Sequence, residues 1–176
     1  MSKRFSVQVI AEIAMVVALS TALSFIKIFE LPQGGSVTAG SMVPLILLAL
    51  RRGPMIGLFG CTLYGMIQFT IEPYVFLPVQ VLLDYPIAFG VLGLAGFFVS
   101  YPMLGVVIGI GGRFIAHLVS GAVFFAEYAP AGMNPWMYSA IYNGSYLLFE
   151  LVVSAILTYL LIKRGILDAY SGTRWT

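Results

Sequence analysis

Met103-Leu-Gly-Val-Val-Ile-Gly-Ile-Gly-Gly-Arg-Phe-Ile-Ala-His-Leu-Val-Ser-Gly-Ala-Val-Phe-Phe-Ala126 carries only two ionisable side chains, Arg113 and His117. About 20 apolar residues suffice to cross the hydrocarbon core of a bilayer, so the stretch reads as a transmembrane helix. Gly105, Gly109, Arg113, His117 and Gly121 recur every fourth residue. They therefore share one helix face. Small residues on a face let a neighbouring helix approach closely. Ionisable residues inside a span are energetically costly and mark function.

Working outward, turn chemistry bounds this span on both sides: Tyr101-Pro102 before it and Ala129-Pro-Ala-Gly-Met-Asn-Pro135 after it. Similar breaks at Leu31-Pro-Gln-Gly-Gly35 and Glu72-Pro73 divide the rest. The reading expects spans near 7–29, 40–51 (short), 54–71, 76–99, 103–126 and 137–163. The chain has 176 residues, 60% hydrophobic and 9% charged, with a mean hydropathy of +0.99. Soluble domains carry about a quarter charged residues, so this composition excludes both a soluble domain and disorder. The expected fold is an all-α integral membrane protein, a six-transmembrane-helix bundle forming one domain over 1–176. Cys61 is the only cysteine, which excludes an internal disulfide and a cysteine-based metal cluster.

Charge sets the expected orientation. Lys3, Arg4, Arg51, Arg52, Lys163, Arg164 and Arg174 fall on one side if both termini are cytoplasmic; the other side has Lys27 among Glu30, Glu72 and Glu127. Lys3 and Arg4 before an apolar run could open a signal peptide, but the run is too long for one. A multi-pass protein of a prokaryotic cell membrane is expected.

Helical rise converts positions into depths. Asp84 lies about 12 Å, His117 about 13 Å and Asn143 about 9 Å below the outer ends of their spans, with Tyr138 and Tyr142 above Asn143. Three helices thus bring polar groups to one level in the outer half, as a pocket open to the outside requires. Arg113 and Glu150, both about 20 Å deep, are candidates for a buried ion pair beneath it. Glu12 is expected to be solvated or to snorkel. Aromatic residues crowd the outer half: Tyr74, Phe76, Tyr85, Phe124, Phe125, Tyr128, Trp136, Tyr138 and Tyr142. An interfacial belt explains many of them, yet aromatic faces beside a carboxylate also attract cations. The pocket therefore suits a flat, aromatic, cationic or amphoteric solute. The glycine-rich 30–40 segment serves there either as a mobile lid or as a plain connector. Ala14, Ala18 and Ala22, with Ala11 close by, form a small-residue face on the first span, used either inside the bundle or by a partner helix.

No G-x-x-x-x-G-K-[ST] loop, H-E-x-x-H or G-x-S-x-G motif occurs. A solute binder needing an external motor fits best; an intramembrane enzyme using Asp84 and His117, or an autonomous carrier, are the competing readings.

Leu31-Pro-Gln-Gly-Gly-Ser-Val-Thr38, Gly40-Ser-Met-Val-Pro44, Ala49-Leu-Arg-Arg-Gly53, Pro78-Val-Gln-Val-Leu-Leu-Asp-Tyr-Pro86, Phe125-Ala-Glu-Tyr-Ala-Pro130 and Asn134-Pro-Trp-Met-Tyr-Ser-Ala-Ile-Tyr-Asn-Gly144 together resemble the thiamine-specific substrate-binding (S) component of energy-coupling factor (ECF) transporters, the ThiT family. The resemblance implies a non-enzymatic subunit that captures thiamine and works with a transmembrane coupling protein and two cytosolic ATPases. No cofactor beyond the bound substrate and no nucleic acid partner is implied; another vitamin, such as riboflavin or a thiamine precursor, is the alternative ligand. By the same resemblance Asp84, Tyr85, His117, Phe125, Tyr138, Asn143 and Tyr74 are the substrate-binding residues, and Ala14 and Ala18 contact the coupling protein. Asp84 stands where some members have glutamate, and Phe125 where some have tryptophan.

Overall fold

The computed structural model describes residues 6–166; Lys3, Arg4 and Arg174 of the charge argument lie outside them. Six helices follow one another: α1 (Val7–Ser24), α2 (Val43–Arg52), α3 (Pro54–Ile71), α4 (Pro78–Phe97, composite), α5 (Pro102–Phe124) and α6 (Pro135–Lys163). Five of these, all but α2, are long and apolar enough to cross a membrane. Their starts are chemically marked. The Ser6 hydroxyl accepts the Val9 N–H, and Asn134 Oδ1 accepts the Trp136 N–H ahead of Pro135. Gly53, at φ +83°, makes the sharp turn between α2 and Pro54, a conformation open to glycine alone at little expense.

The first expected span is shorter than 7–29. After Ser24 the chain turns into an antiparallel hairpin of β1 (Lys27–Glu30) and β2 (Ser36–Thr38), paired Phe29 with Val37 and Glu30 with Ser36. The 30–40 segment is therefore mostly ordered hairpin. The second expected span is α2, whose ten residues reach about 15 Å, half the hydrocarbon thickness. Over Val43–Leu50 it is apolar all round because it is enclosed: Leu45, Ile46 and Ala49 are fully buried between α1, α3 and α4.

The fourth span is not a regular helix. It runs α-helical over Pro78–Leu82, as a π-turn over Leu83–Ile87 and as a 3-10 helix over Val91–Phe97. Pro86 sits inside the π-turn; a proline there has no N–H to give and crowds the preceding turn, so the ladder widens. The glycine face of α5 packs as its spacing implies. A Cβ on Gly105 would meet the Ala95 carbonyl at 2.9 Å, and one on Gly109 the Leu92 carbonyl at 3.1 Å.

At the end carrying Arg51 and Arg52, Glu12 is buried and binds both: Arg51 Nη1 at 2.8 Å and Arg52 Nη2 at 2.6 Å. The expectation of a solvated Glu12 is thus corrected; two guanidinium groups compensate its desolvation. Ala11, Ala14, Ala18 and Ala22 are exposed, so the alanine face of α1 is not used inside the bundle.

Candidate binding site

A cavity of about 470 Å³ opens where α3 and α5 finish and α4 and α6 begin, beside the hairpin turn. Asp84, Tyr85, His117, Phe125, Tyr138, Asn143 and Tyr74 all line it. The π-turn carries Asp84 and Tyr85 on adjacent positions of α4, while α5 brings His117 from across the cavity.

Asp84 is the hub. Its Oδ2 accepts Gln80 Nε2 at 2.6 Å, and its Oδ1 lies 3.0 Å from His117 Nδ1. Arg113 Nε donates to His117 Nε2 at 3.3 Å. A ring nitrogen that accepts from a guanidinium carries no proton, so His117 is neutral with its proton on Nδ1, directed at Asp84. Gln80, fully buried, is locked in the same way: Oε1 accepts the Phe76 N–H at 2.9 Å, leaving the amide hydrogens for Asp84 and the Tyr74 carbonyl. The sequence reading missed Gln80; its signal was its position four residues before Asp84, one turn away on the same face.

Arg113 and Glu150 form no ion pair among the described residues, correcting that expectation. Equal depth did not mean equal direction. The Arg113 guanidinium turns to the cavity floor, its Cζ 4.1 Å from the centre of the Phe89 ring and its Nη1 2.9 Å from Met42 Sδ. Glu150 instead accepts from the backbone and hydroxyl of Thr38.

Aromatic rings form the walls. Phe125 lies 5.6 Å from Tyr74, 5.8 Å from Phe76 and 6.0 Å from Tyr128, centre to centre. Tyr138 stacks on Tyr142 at 6.2 Å, and Tyr142 Oη accepts the Gly35 N–H of the hairpin turn. The Tyr85 hydroxyl staples the loop before α4, donating to the Glu72 carbonyl at 2.6 Å and accepting the Tyr74 N–H at 2.9 Å. A hydrogen bond with Tyr128 pushes the Tyr74 phenol up to about 12, so it stays protonated at neutral pH. Asn143 joins α6 to α5: its amide donates to the His117 carbonyl and to Ser139, and its oxygen accepts the Tyr146 hydroxyl.

Electrostatics favour a cation. Glu30, Glu72 and Asp84 line the cavity against Arg113. Lys27 spans the rim, 2.9 Å from Glu30 and 2.7 Å from Glu72. Its hydrogen bond to Glu72, then that to Glu30, raises its pKa, so it remains charged. Three carboxylates against two cations leave the mouth and floor net negative.

Residues 10–167 match the family model described as thiamine transporter protein (Thia_YuaJ). The chain is 35% identical to the thiamine transporter ThiT of Bacillus subtilis (strain 168), over 85% of this chain and 88% of that one. It is 30% identical to the thiamine transporter ThiT of Lacticaseibacillus paracasei, over 88% and 86% respectively. A solved structure of ThiT from Listeria monocytogenes superposes with a TM-score of 0.81 at 26% identity, covering 90% of this chain and 94% of that one. The Bacillus subtilis and Lacticaseibacillus paracasei relatives are both named as thiamine transporters. The chain belongs to the thiamine transporter protein family, as a helical membrane protein with five helices among the described residues long and apolar enough to cross a membrane.

Proposed function

We propose that this chain captures thiamine from outside the cell with high affinity, as the substrate-binding (S) component of an ECF-type importer, without catalytic activity or a cofactor of its own. The observation that carries the reading is the Asp84 carboxylate. It is held by two donors whose directions are locked, Gln80 and His117, inside an aromatic cavity of net negative charge. Thiamine is flat, aromatic and carries a thiazolium cation, so it matches each feature. Asp84 supplies the counter-charge or a hydrogen bond. His117 and Phe125 stack on the rings, with Tyr85 and Tyr74 beside them. Tyr138 and Asn143 bond the aminopyrimidine edge, Asn143 by exchanging a bond it makes to Ser139.

Orientation follows from charge. Arg51, Arg52, Lys163 and Arg164 stand at helix ends opposite the cavity. The positive-inside rule supports a cytoplasmic location for that end, and with it for both termini. We take residues 1–176 as one membrane domain. The exposed Ala14 and Ala18 on α1 provide a close-approach surface for a transmembrane coupling protein that links the chain to two cytosolic ATPases.

A fluorescence titration of the detergent-purified chain against thiamine, riboflavin and thiamine precursors tests the ligand. Thiamine is expected to bind far more tightly than the others. Equal or tighter binding of riboflavin would reassign the substrate. Uptake by liposomes containing the chain alone would refute the need for a motor.

A further inference from the structure

The hairpin β1–β2 is seated on α6 through a carboxylate that does not touch the solute cavity. Glu150 is 2% exposed. Its Oε1 accepts the Thr38 N–H at 2.7 Å and the Thr38 hydroxyl at 2.8 Å. Thr38 Oγ1 in turn accepts the Ser41 N–H at 3.2 Å, and Thr38 and Ser41 are both buried. Neither Glu150 nor Thr38 lines the cavity. Burying a carboxyl group is costly, and Glu150 Oε2 has no hydrogen-bond partner among the described residues. The compensation falls on one short strand.

That strand needs anchoring. β2 has three residues and pairs only with β1, and an isolated two-stranded hairpin is marginal at best. Val37 packs it against Tyr146 and Leu147 of α6, a contact without direction, and its other ties lie away from Thr38. Tyr142 Oη accepts the Gly35 N–H, Phe29 meets Phe149 edge-on at 5.8 Å, and Lys27 reaches Glu72 in an exposed ion pair. Gln33, Gly34 and Gly35, in the turn between the strands, and Ser36 at the start of β2 wall the cavity mouth. We propose that Glu150 is a positioning residue: as the acceptor for Thr38 it fixes the hairpin, and through the turn it sets how long a bound solute stays. The second half rests on the capture of thiamine argued above.

Two readouts on the full chain separate the two halves. Amide hydrogen exchange of the hairpin, without thiamine, reports its seating. Stopped-flow association and dissociation of thiamine report residence. Glu150→Leu removes the acceptor and leaves a buried N–H unpaired, which is expected to speed exchange at Thr38 by about tenfold or more. Dissociation of thiamine should accelerate by a similar factor, with association changed less than about threefold. Glu150→Gln keeps an oxygen at the same reach and is expected to restore both within about threefold of wild type. Glu150→Asp keeps the carboxyl group but withdraws the acceptor by one methylene, and should behave like Glu150→Leu, which it replaces if the leucine variant does not fold. Unchanged exchange at Thr38 in the leucine or aspartate variant overturns the seating role. Faster exchange with unchanged dissociation overturns the link to residence. A glutamine variant as impaired as leucine overturns the acceptor role. Absence of thiamine binding by the wild type would instead refute the capture reading, and exchange would still decide the seating.

Discussion

Asp84→Asn replaces one oxygen by an amide nitrogen of nearly the same size, and the structure shows why that is not a mild change. The carboxylate receives Gln80 Nε2 at 2.6 Å and faces His117 Nδ1 at 3.0 Å. Neither donor can reverse. Gln80 is held by the Phe76 N–H on its oxygen, and His117 by Arg113 donating to its other nitrogen. An asparagine must therefore turn its NH2 toward one donor, leaving that group unpaired at about 1–3 kcal/mol. It also removes the charge facing the thiazolium, a charge-assisted contact of about 1.5–3 kcal/mol. The unpaired donor is there with or without thiamine and so lowers stability, while the lost contact alone raises Kd about 10- to 150-fold. Fluorescence titration of thiamine into purified wild type and variant measures the ratio, with thermal unfolding confirming that the variant is folded. Asp84→Glu keeps the charge and should lose far less. A Kd for Asp84→Asn within threefold of wild type would refute the counter-charge argument.

Gln80→Leu removes the donor that aims Asp84 and strands the Phe76 N–H; binding should weaken about tenfold or more, and calorimetry checks it. Gly65→Ala would put a Cβ 2.5 Å from the Tyr85 carbonyl oxygen and 3.0 Å from Pro86 Cα, displacing the π-turn. It should cost about 1–3 kcal/mol of stability, read by thermal unfolding, and weaken binding in parallel. Replacing Ala14 and Ala18 by Trp should spare thiamine binding while blocking co-purification with the coupling protein, since both positions are exposed and outside the cavity. Lys27 has a raised pKa in the folded chain, so its contribution to stability is fully present below the unfolded value and disappears as pH rises through the higher folded one. Unfolding temperature should therefore fall more steeply above about pH 10.5 in wild type than in Lys27→Met.

Much of the site could be read before the structure because helical rise is uniform. Counting residues puts Asp84, His117 and Asn143 at one level with Tyr138 above, and all four line one cavity. The count gives depth but not azimuth, which is why Arg113 and Glu150 were paired and are not. Arg113 follows the α5 face it shares with His117 to the cavity floor; Glu150 points to a strand that was not anticipated. Lys27-Ile-Phe-Glu30 and Ser36-Val-Thr38 are short, and the apolar residues of the first merge with the preceding span, so neither stood out as a strand. Leu31-Pro-Gln-Gly-Gly35 between them was the available signal of a hairpin. In α4 the telling residue was Pro86, two places after Asp84, because a proline in a helix interior must disturb the ladder. Glu12 was misjudged for a different reason: its partners, Arg51 and Arg52, lie forty residues away, and tertiary pairing of that kind leaves no local pattern.

Calorimetric titration of thiamine into the detergent-purified wild-type chain, with no other subunit present, tests the central claim most directly. Tight binding at one thiamine per chain is the expected result. A folded sample that gives no binding heat, with no thiamine retained on gel filtration, would contradict it.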